Sequence, residues 1–289
     1  MRIALVIVCF LPLLSTAQYG RSKAKFSSSK GILTGYWGYN RSWYSKSAIN
    51  FVGPGYDFTL KQSRATDQPT AFSGKNYFTK KTLLEPQFSA GIGYYFRSNW
   101  AVSFSVDRFK YIYSDSNDVL LSGILNPGID NANGWSGTYN SDEIVTNQST
   151  FRYENKGLNY FRIQATRTDQ VYSVGKKDKF AVSTNFGVGL GALVSNNTFL
   201  FGGKKDEETV SMSGIAFSGS AGLRTEFFRK FFFQINFTCG YMNQSNVNTR
   251  RSETNAVAKQ KFAYTALDAG IGFILNVFPA NDCNSCPSW

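Results

Sequence analysis

The sequence contains no histidine, and this absence excludes several common kinds of membrane-associated enzyme. Lipid acyltransferases, deacylases, phospholipases and many proteases use histidine as a general base or as the partner of one. A G-x-S-x-G motif is also missing, and the glycine-rich stretch Gly187–Gly191 lacks the spacing and the following helix of a dinucleotide-binding loop. We therefore expect a protein that is not an enzyme and that holds no cofactor.

The sequence also lacks a long apolar run after its N-terminus, so no transmembrane helix is expected in the mature chain. The N-terminus itself has the pattern of a secretory signal peptide. Arg2 precedes the apolar stretch Ile3–Leu14, and the small residues Ser15 and Ala17 mark a cleavage site. This apolar stretch is too short to anchor the chain in a bilayer. We predict a signal peptide at residues 1–17 and export of the remaining chain.

Cysteine is rare, with four in the chain, of which Cys9 falls within the predicted signal peptide. Cys283 and Cys286 form a C-x-x-C pair near the C-terminus. In an oxidising compartment such a pair is expected to form a small structural disulfide. A redox site requires a helix N-terminus or cationic surroundings, and two sulfurs without histidine make a poor zinc site. The Asn- and Asp-rich stretch 115–133 lacks the spacing of a calcium loop, so no metal site is predicted.

Aromatic residues are abundant, with 26 Phe and 16 Tyr, and many of them lie in alternating patterns. Two alternating runs, Ile215–Phe228 and Phe231–Tyr241, meet at a tight turn. Their period of two is that of β-strands, with one face continuously apolar and the other small and polar. This arrangement reverses the polarity of a soluble barrel and indicates a membrane barrel with a polar lumen. A soluble, lipocalin-like binder is the architectural alternative.

Eight segments show this alternation over a length that suits a tilted membrane crossing. They are Gly31–Tyr44, Pro86–Phe96, Trp100–Tyr113, Leu158–Thr168, Phe180–Val194, Ile215–Phe228, Phe231–Tyr241 and Phe262–Phe278. The connections between them alternate between long and short, as extracellular loops and periplasmic turns do in outer-membrane barrels. We therefore predict an all-β fold, an eight-stranded antiparallel up-and-down transmembrane β-barrel with long extracellular loops and both termini in the periplasm.

The predicted organisation is a signal peptide at 1–17, a periplasmic leader at 18–30, the barrel at 31–278 and a periplasmic tail at 279–289. In the first long loop, AINF and YDFTL can each form a short strand outside the wall. Aromatic residues are expected to form girdles at both membrane interfaces. The periplasmic girdle is predicted to contain Phe96, Trp100, Phe180, Phe227, Phe228 and Phe231–Phe233, and the extracellular girdle Tyr111, Tyr113, Tyr160 and Tyr241.

Polar and charged side chains on the inward faces of the strands form the candidate site. They are Asp107, Arg162, Asn185, Arg224, Glu226 and Asp268. Side chains fill the interior of an eight-stranded barrel, and unpaired buried charges are costly. A salt-bridged plug is therefore predicted, with an ion or proton path, or acid–base chemistry by a carboxylate pair, as the alternatives. The sequence leaves open whether Asp107 pairs with Arg162, because that depends on strand register.

The formal net charge is +12, and the basic residues are scattered among loops and turns. They include Lys176, Lys177, Lys179, Arg229, Lys230, Arg250, Arg251, Lys259 and Lys261. An exported chain rarely meets nucleic acid, so no nucleic acid is expected as a partner. Outer-membrane lipid and lipopolysaccharide are the expected anionic neighbours, and solvated loop charge is the alternative.

A resemblance to known proteins is carried by GYNRSWYSKS at Gly38–Ser47, YDFTL at Tyr56–Leu60, ATDQPT at Ala65–Thr70, PQFSAGIGYYF at Pro86–Phe96, DRFKY at Asp107–Tyr111 and GLNYF at Gly157–Phe161. Through these stretches the chain resembles a group of outer-membrane β-barrel proteins from Bacteroidota-type bacteria. In architecture it is similar to small OmpA-like, OmpX-like and OmpW-like barrels. The resemblance implies the bacterial outer membrane and insertion by the barrel assembly machinery, without implying an activity or a site. One departure is that residues follow Phe278, whereas many barrels end at an aromatic residue.

Two functions from different classes fit these patterns. The first is a non-enzymatic, monomeric outer-membrane protein whose long loops, Ser45–Glu85 and Ser114–Gly157, bind an extracellular ligand or support the envelope. Connections this long are usually functional. The second is a conduit for small hydrophobic molecules or ions. An enzyme that uses carboxylates or serine without histidine is the least favoured hypothesis.

Overall fold

The computed structural model describes residues 29–70, 86–114, 117–175, 179–253 and 255–277, and they form thirteen β-strands. The strands are β1 Ile32–Tyr44, β2 Ser47–Gly53, β3 Tyr56–Ser63, β4 Ala65–Thr66, β5 Phe88–Tyr95, β6 Trp100–Tyr113, β7 Asp118–Asp130, β8 Trp135–Val145, β9 Arg152–Val174, β10 Phe180–Phe201, β11 Lys204–Phe227, β12 Phe231–Asn248 and β13 Val257–Asn276. Among these residues no helix is long and apolar enough to cross a membrane.

Eight of the strands close into a ring in the order β1, β5, β6, β9, β10, β11, β12 and β13, and β13 pairs back with β1. Every pair of neighbours in the ring is antiparallel. Closure leaves no free strand edge in the wall. The eight ring strands overlap the eight predicted segments, so the predicted eight-stranded up-and-down barrel is confirmed.

The outer surface of the ring carries an apolar band of exposed side chains. Its most exposed members include Ile92, Ile163, Val188, Leu190, Ile215 and Ile271, between 59% and 70% exposed. On β6 the band ends at Val106, after which the alternation brings Arg108 and Lys110 to the outer face. The inward residues at the same levels are mainly glycine, serine and other polar residues. This is the polarity expected when lipid surrounds the barrel.

The strands β9–β13 extend well beyond the apolar band, into segments that were predicted to be loops. β9 begins at Arg152 rather than Leu158, and β10 continues to Phe201 rather than ending at Val194. The segment 195–213, predicted to be a loop, continues the β10–β11 hairpin. The ladders continue because the inward residues of these extensions become apolar and pack together, which gives the strands a second core outside the membrane.

The long loops also form strands. The hairpin β2–β3 contains AINF and YDFTL, so these two predicted strands are confirmed. The hairpin β7–β8 was not predicted, because β7 lacks a regular alternation of apolar and polar residues and β8 is mostly polar and exposed. The sheet continues from β13 through β2, β3 and β7 to β8. We call these four strands, together with the parts of β6 and β9–β13 beyond the apolar band and the connections among them, the head.

A bulge in β11 marks the start of the head. The register between β10 and β11 shifts between Leu193 and Val194. Gly214 adopts a positive φ of 152° there, and a Cβ atom on it would lie 1.9 Å from the carbonyl oxygen of Asn243. Only glycine fits this close approach of two strands.

The predicted girdles are partly wrong. Tyr111, Tyr113 and Tyr160 are buried inside the molecule rather than exposed at the extracellular interface, and Phe232 also points inward. Each of them falls on the inward phase of its strand once the register is known. Tyr241 lies outward as predicted. The predicted signal peptide, residues 1–17, and the tail after residue 278 lie outside the described residues.

Candidate functional site

Asp107 on β6 and Arg162 on β9 lie side by side in the middle of the lumen. The register places Asp107 opposite Tyr160 and Arg162 opposite Ser105. Nη2 of Arg162 is 3.1 Å from Oδ2 of Asp107. Arg162 also donates hydrogen bonds to Ser105 Oγ at 3.1 Å and to Ser218 Oγ at 3.3 Å. Both charged side chains are buried, so this pair spans and closes the lumen at its middle level.

Asp268 on β13 lines the same cavity as the ion pair. Its Oδ1 accepts a hydrogen bond from Nδ2 of Asn236 at 3.1 Å. Asn40 on β1 also lies there and donates to Ser89 Oγ at 3.1 Å and to the carbonyl of Phe88 at 2.9 Å. The space left among these side chains is about 60 Å³. That is room for a few water molecules and not for an open channel.

Arg224 closes the lumen nearer the periplasmic end. It donates to Tyr95 Oη and to Gln234 Oε1, each at 3.0 Å. Its guanidinium carbon lies 4.2 Å above the ring centroid of Phe232, close enough for a cation–π contact. Tyr95 is in turn 2.8 Å from Thr168 Oγ1. This cluster ties β5, β9, β11 and β12 together across the lumen.

The remaining predicted lumen residues do not join a single network. Asn185 is buried beside the Asp107–Arg162 cavity, and its Oδ1 accepts no hydrogen bond from the described residues. Glu226 lies at the periplasmic mouth, in a second cavity of about 50 Å³ that Arg229 also lines. Cys283 and Cys286, the predicted disulfide, lie outside the described residues.

The Asn- and Asp-rich stretch is used for a turn. Asp130, at the end of β7, accepts hydrogen bonds from the backbone and side-chain nitrogens of Asn133 at 3.1 and 2.8 Å. This is the side-chain-to-backbone bonding typical of Asp in turns. Within the described ranges, no group of three or more His, Cys, Asp or Glu side chains could hold a metal ion.

Above the ion pair, toward the head, the inward side chains become aromatic. The rings of Phe109 and Tyr264 are 5.3 Å apart, and those of Tyr111 and Phe262 are 4.9 Å apart. Tyr44 packs on Tyr111 at 5.0 Å. These separations are those of favourable aromatic pairs. The aromatic layer closes the extracellular end of the lumen.

Phe51 of β2 lies at the centre of the head. Its ring centroid is 5.2–5.5 Å from the rings of Phe58, Phe151, Tyr153 and Phe199, and all five side chains are fully buried. These partners come from β3, the β8–β9 connection, β9 and β10. Three connections of the barrel therefore share one aromatic core, and the head is a packed unit rather than a set of separate loops.

Arg250, after β12, fastens the top of the head. Its Nη1 is 2.9 Å from Asp206 Oδ2 and donates to the carbonyl of Lys204, while Nη2 donates to the carbonyl of Phe201. Its guanidinium carbon lies 4.9 Å from the ring centroid of Phe199. In the sequence Arg250 is one of the scattered loop charges, because no short-range pattern marks it as buried.

Burial changes the acidity of tyrosines in the head. Thr146 Oγ1 donates to Tyr113 Oη at 3.1 Å, and burial raises the pKa of Tyr113 to about 12. Burial also holds the pKa of Tyr153 well above its usual value. Loss of hydration destabilises the tyrosinate form, so the core stays neutral over the physiological pH range.

The closed ring, its apolar outer band and its sealed polar interior together decide the architecture. The fold is that of an outer-membrane β-barrel. Along the described lumen, buried polar groups are bonded mainly to one another. No histidine is available in the chain to act as a base.

No known family model and no curated relative matches the sequence. Solved structures that it resembles are outer-membrane proteins. OprG of Pseudomonas aeruginosa is 12% identical, with 86% of this chain and 98% of that chain covered and a TM-score of 0.39. Ail, the attachment invasion locus protein of Yersinia pestis, is 11% identical, with coverages of 85% and 99% and a TM-score of 0.34. Neisserial surface protein A is 10% identical, with coverages of 84% and 97% and a TM-score of 0.30. These values assign neither a family nor a function.

Proposed function

We propose that the chain is a non-enzymatic protein of the bacterial outer membrane that presents its head for binding at the cell surface. The observation that carries this proposal is the shared aromatic core around Phe51. A rigid, folded surface loses little conformational entropy on binding, whereas flexible loops lose much more. The barrel beneath serves as the membrane anchor.

The strand β8 is the part of the head that we propose contacts a ligand. It hydrogen-bonds with β7 only, and its other edge has no backbone partner among the described strands. Most of its residues are exposed, on both faces. An open edge can accept an added strand from a partner protein. The exposed Ile124 and Val145 offer apolar contacts on the same hairpin.

The test compares cells that produce the native chain with cells that produce a Thr138→Lys, Asn140→Lys variant. Lysine on an edge strand opposes pairing with another strand. We expect cells with the native chain to bind some members of a panel of immobilised proteins and glycans, and the β8 variant to lose that binding. Heat-dependent gel mobility in detergent would check that the variant barrel is folded.

A matched control places the same two lysines at Ser245 and Asn246, which are exposed on β12 within the head. This control should bind as the native chain does. If native cells bind no more than cells without the protein, surface binding is wrong. Increased sensitivity of the protein-free cells to detergent would then support the envelope-structural form of the hypothesis.

The alternative function, a conduit for ions or small hydrophobic molecules, receives less support from the geometry. The Arg224 cluster, the Asp107–Arg162 pair and the aromatic layer follow one another along the lumen. The cavity between them is about 60 Å³, well below the roughly 300 Å³ at which small-molecule sites begin. A conduit would require all three levels to rearrange.

Lipopolysaccharide is the proposed neighbour at the outer interface. Lys46, Lys259 and Lys261 are exposed there, and none has an ion-pair partner within the described residues. Trp43, 57% exposed, lies just below them on the adjacent strand, at the level where interfacial aromatics are common. Insertion by the barrel assembly machinery and a monomeric state complete the proposal.

A further inference from the structure

The lipid-facing surface has an apolar depression near the periplasmic end. Its volume is about 860 Å³, within the range of roughly 300–1,000 Å³ for small-molecule sites. It crosses neighbouring strands from β11 through β12, β13, β1 and β5 to β6. Its bulky outward lining comprises Phe227, Phe231, Phe233, Ile271, Phe273, Trp37, Ile92, Phe104 and Val106.

Small residues make the depression deep. Two rows of paired residues on neighbouring strands cross the depression, and each row contains a glycine or an alanine. Gly35 lies between Phe273 and Ile92 in one row, and Ala90 lies between Trp37 and Val106 in the next. The ring of Phe273 lies over Gly35, where a Cβ atom would be 2.4 Å from it, so the ring covers this position. Ala90 therefore forms the low part of the groove floor, between bulky walls.

Basic side chains border the periplasmic end of this groove. Lys230 is in the turn before β12, Lys30 precedes β1, and Arg97 is in the turn between β5 and β6, and all three are exposed. The backbone of Lys230 accepts a hydrogen bond from Ile274, which places it beside the end of β13. Glu226, the nearby acid on β11, lines the lumen mouth rather than the outer surface.

We infer that the groove binds one phospholipid of the periplasmic leaflet, with an acyl chain over Ala90 and beside the ring of Phe273, and an anionic headgroup against Lys30, Arg97 and Lys230. The inference rests on the proposed membrane orientation. The apolar lining excludes a polar ligand, and the basic rim selects a negatively charged headgroup. Each basic residue near a membrane surface contributes about a fivefold gain in affinity for anionic lipid.

The test is native mass spectrometry of the full-length barrel in detergent, with phosphatidylglycerol added as the probe. We expect one retained phosphatidylglycerol, and weaker retention of zwitterionic phosphatidylethanolamine. Ala90→Trp fills the floor of the groove and should abolish retention. Lys30→Glu with Lys230→Glu should reduce phosphatidylglycerol binding at least fivefold and remove the preference between the two lipids.

Matched controls lie on the other side of the barrel. Ala192 on β10 faces outward, four strands from β1 around the ring, and Ala192→Trp should leave retention unchanged. Lys179→Glu, four strands from Lys30, is the control for charge. The inference is wrong if no lipid is retained, or if the control variants lose lipid as the groove variants do. Heat-dependent mobility of each variant tests the barrel separately, so failure of the groove and failure of the proposed membrane fold are distinguishable.

Discussion

Asp107 and Arg162 illustrate how a single buried pair holds the lumen closed. With Nη2 and Oδ2 at 3.1 Å and both side chains buried, neither charge has access to bulk water. We expect Asp107→Asn to destabilise the barrel by about 3–5 kcal/mol, because it leaves the guanidinium charge buried without a counterion. The measurement is the free energy of unfolding in urea with the barrel in lipid vesicles.

The matched control removes both charges at once. An Asp107→Leu, Arg162→Met variant removes the guanidinium together with its partner, so most of the lost stability should return. The single variants Asp107→Leu and Arg162→Met, this double variant and the native chain form a double-mutant cycle. A loss in Asp107→Asn of under about 1 kcal/mol would instead match a solvated pair, and it would show that water enters the lumen at this level.

Among the strands, the β2–β3 hairpin connects the barrel to the head through Phe51. Its ring contacts four other buried aromatic rings. We expect Phe51→Ala to cost about 3–5 kcal/mol by leaving a cavity, and to make the head, but not the barrel, susceptible to protease on intact cells. Ile124→Ala, at a position 54% exposed on β7, is the control and should leave cleavage unchanged. Equal cleavage of native and Phe51→Ala chains would show that the head is not one packed unit.

The head should also be the part of the chain that is sensitive to alkali. Burial raises the pKa of Tyr113 to about 12 in the folded state, against an ordinary value of 10.0. A raised folded pKa adds stability that is complete below pH 10.0 and is lost as the pH rises toward 12. Tyrosinate absorbance should therefore rise late for Tyr113, together with protease cleavage of the head. Tyr113→Phe should reduce the amplitude of this late component by one tyrosine, because other buried tyrosines such as Tyr153 also titrate late. An unchanged amplitude in that variant would show that Tyr113 does not contribute to it.

Local alternation was sufficient to predict the wall but not the head. Strands such as β12 alternate between large apolar and polar residues, so each residue reveals its own face. In the head the inward residues are apolar and many outward residues are polar, which reverses the pattern of the wall. Alternation alone therefore does not show which face of a head strand is outward. Seven of the eleven residues of β8 are polar or glycine, and only its pairing with β7 makes it a strand. Tertiary contacts decide such segments.

The sequence predicts which residues of the candidate site face the lumen, but not which of them contact one another. The inward position of Asp107 and Arg162 follows from alternation within each strand. Their contact requires the register between β6 and β9, which depends on how the long connection between them folds. Arg250 is the opposite case, because its three acceptors come from residues more than forty positions away and no local pattern contains them.

Across the whole molecule, the lumen is blocked at three successive levels, so an ion would have to pass all three to cross the barrel. Arg224 with Phe232 lies toward the periplasm, Asp107 with Arg162 in the middle, and the aromatic layer below the head. We expect no single-channel current from the native barrel in planar bilayers. An Asp107→Ala, Arg162→Ala variant should also remain silent, because emptying one level leaves the others closed. A current from that variant alone would mean that its ion pair is the only effective barrier, and a current from the native chain would favour the conduit over the surface-binding function.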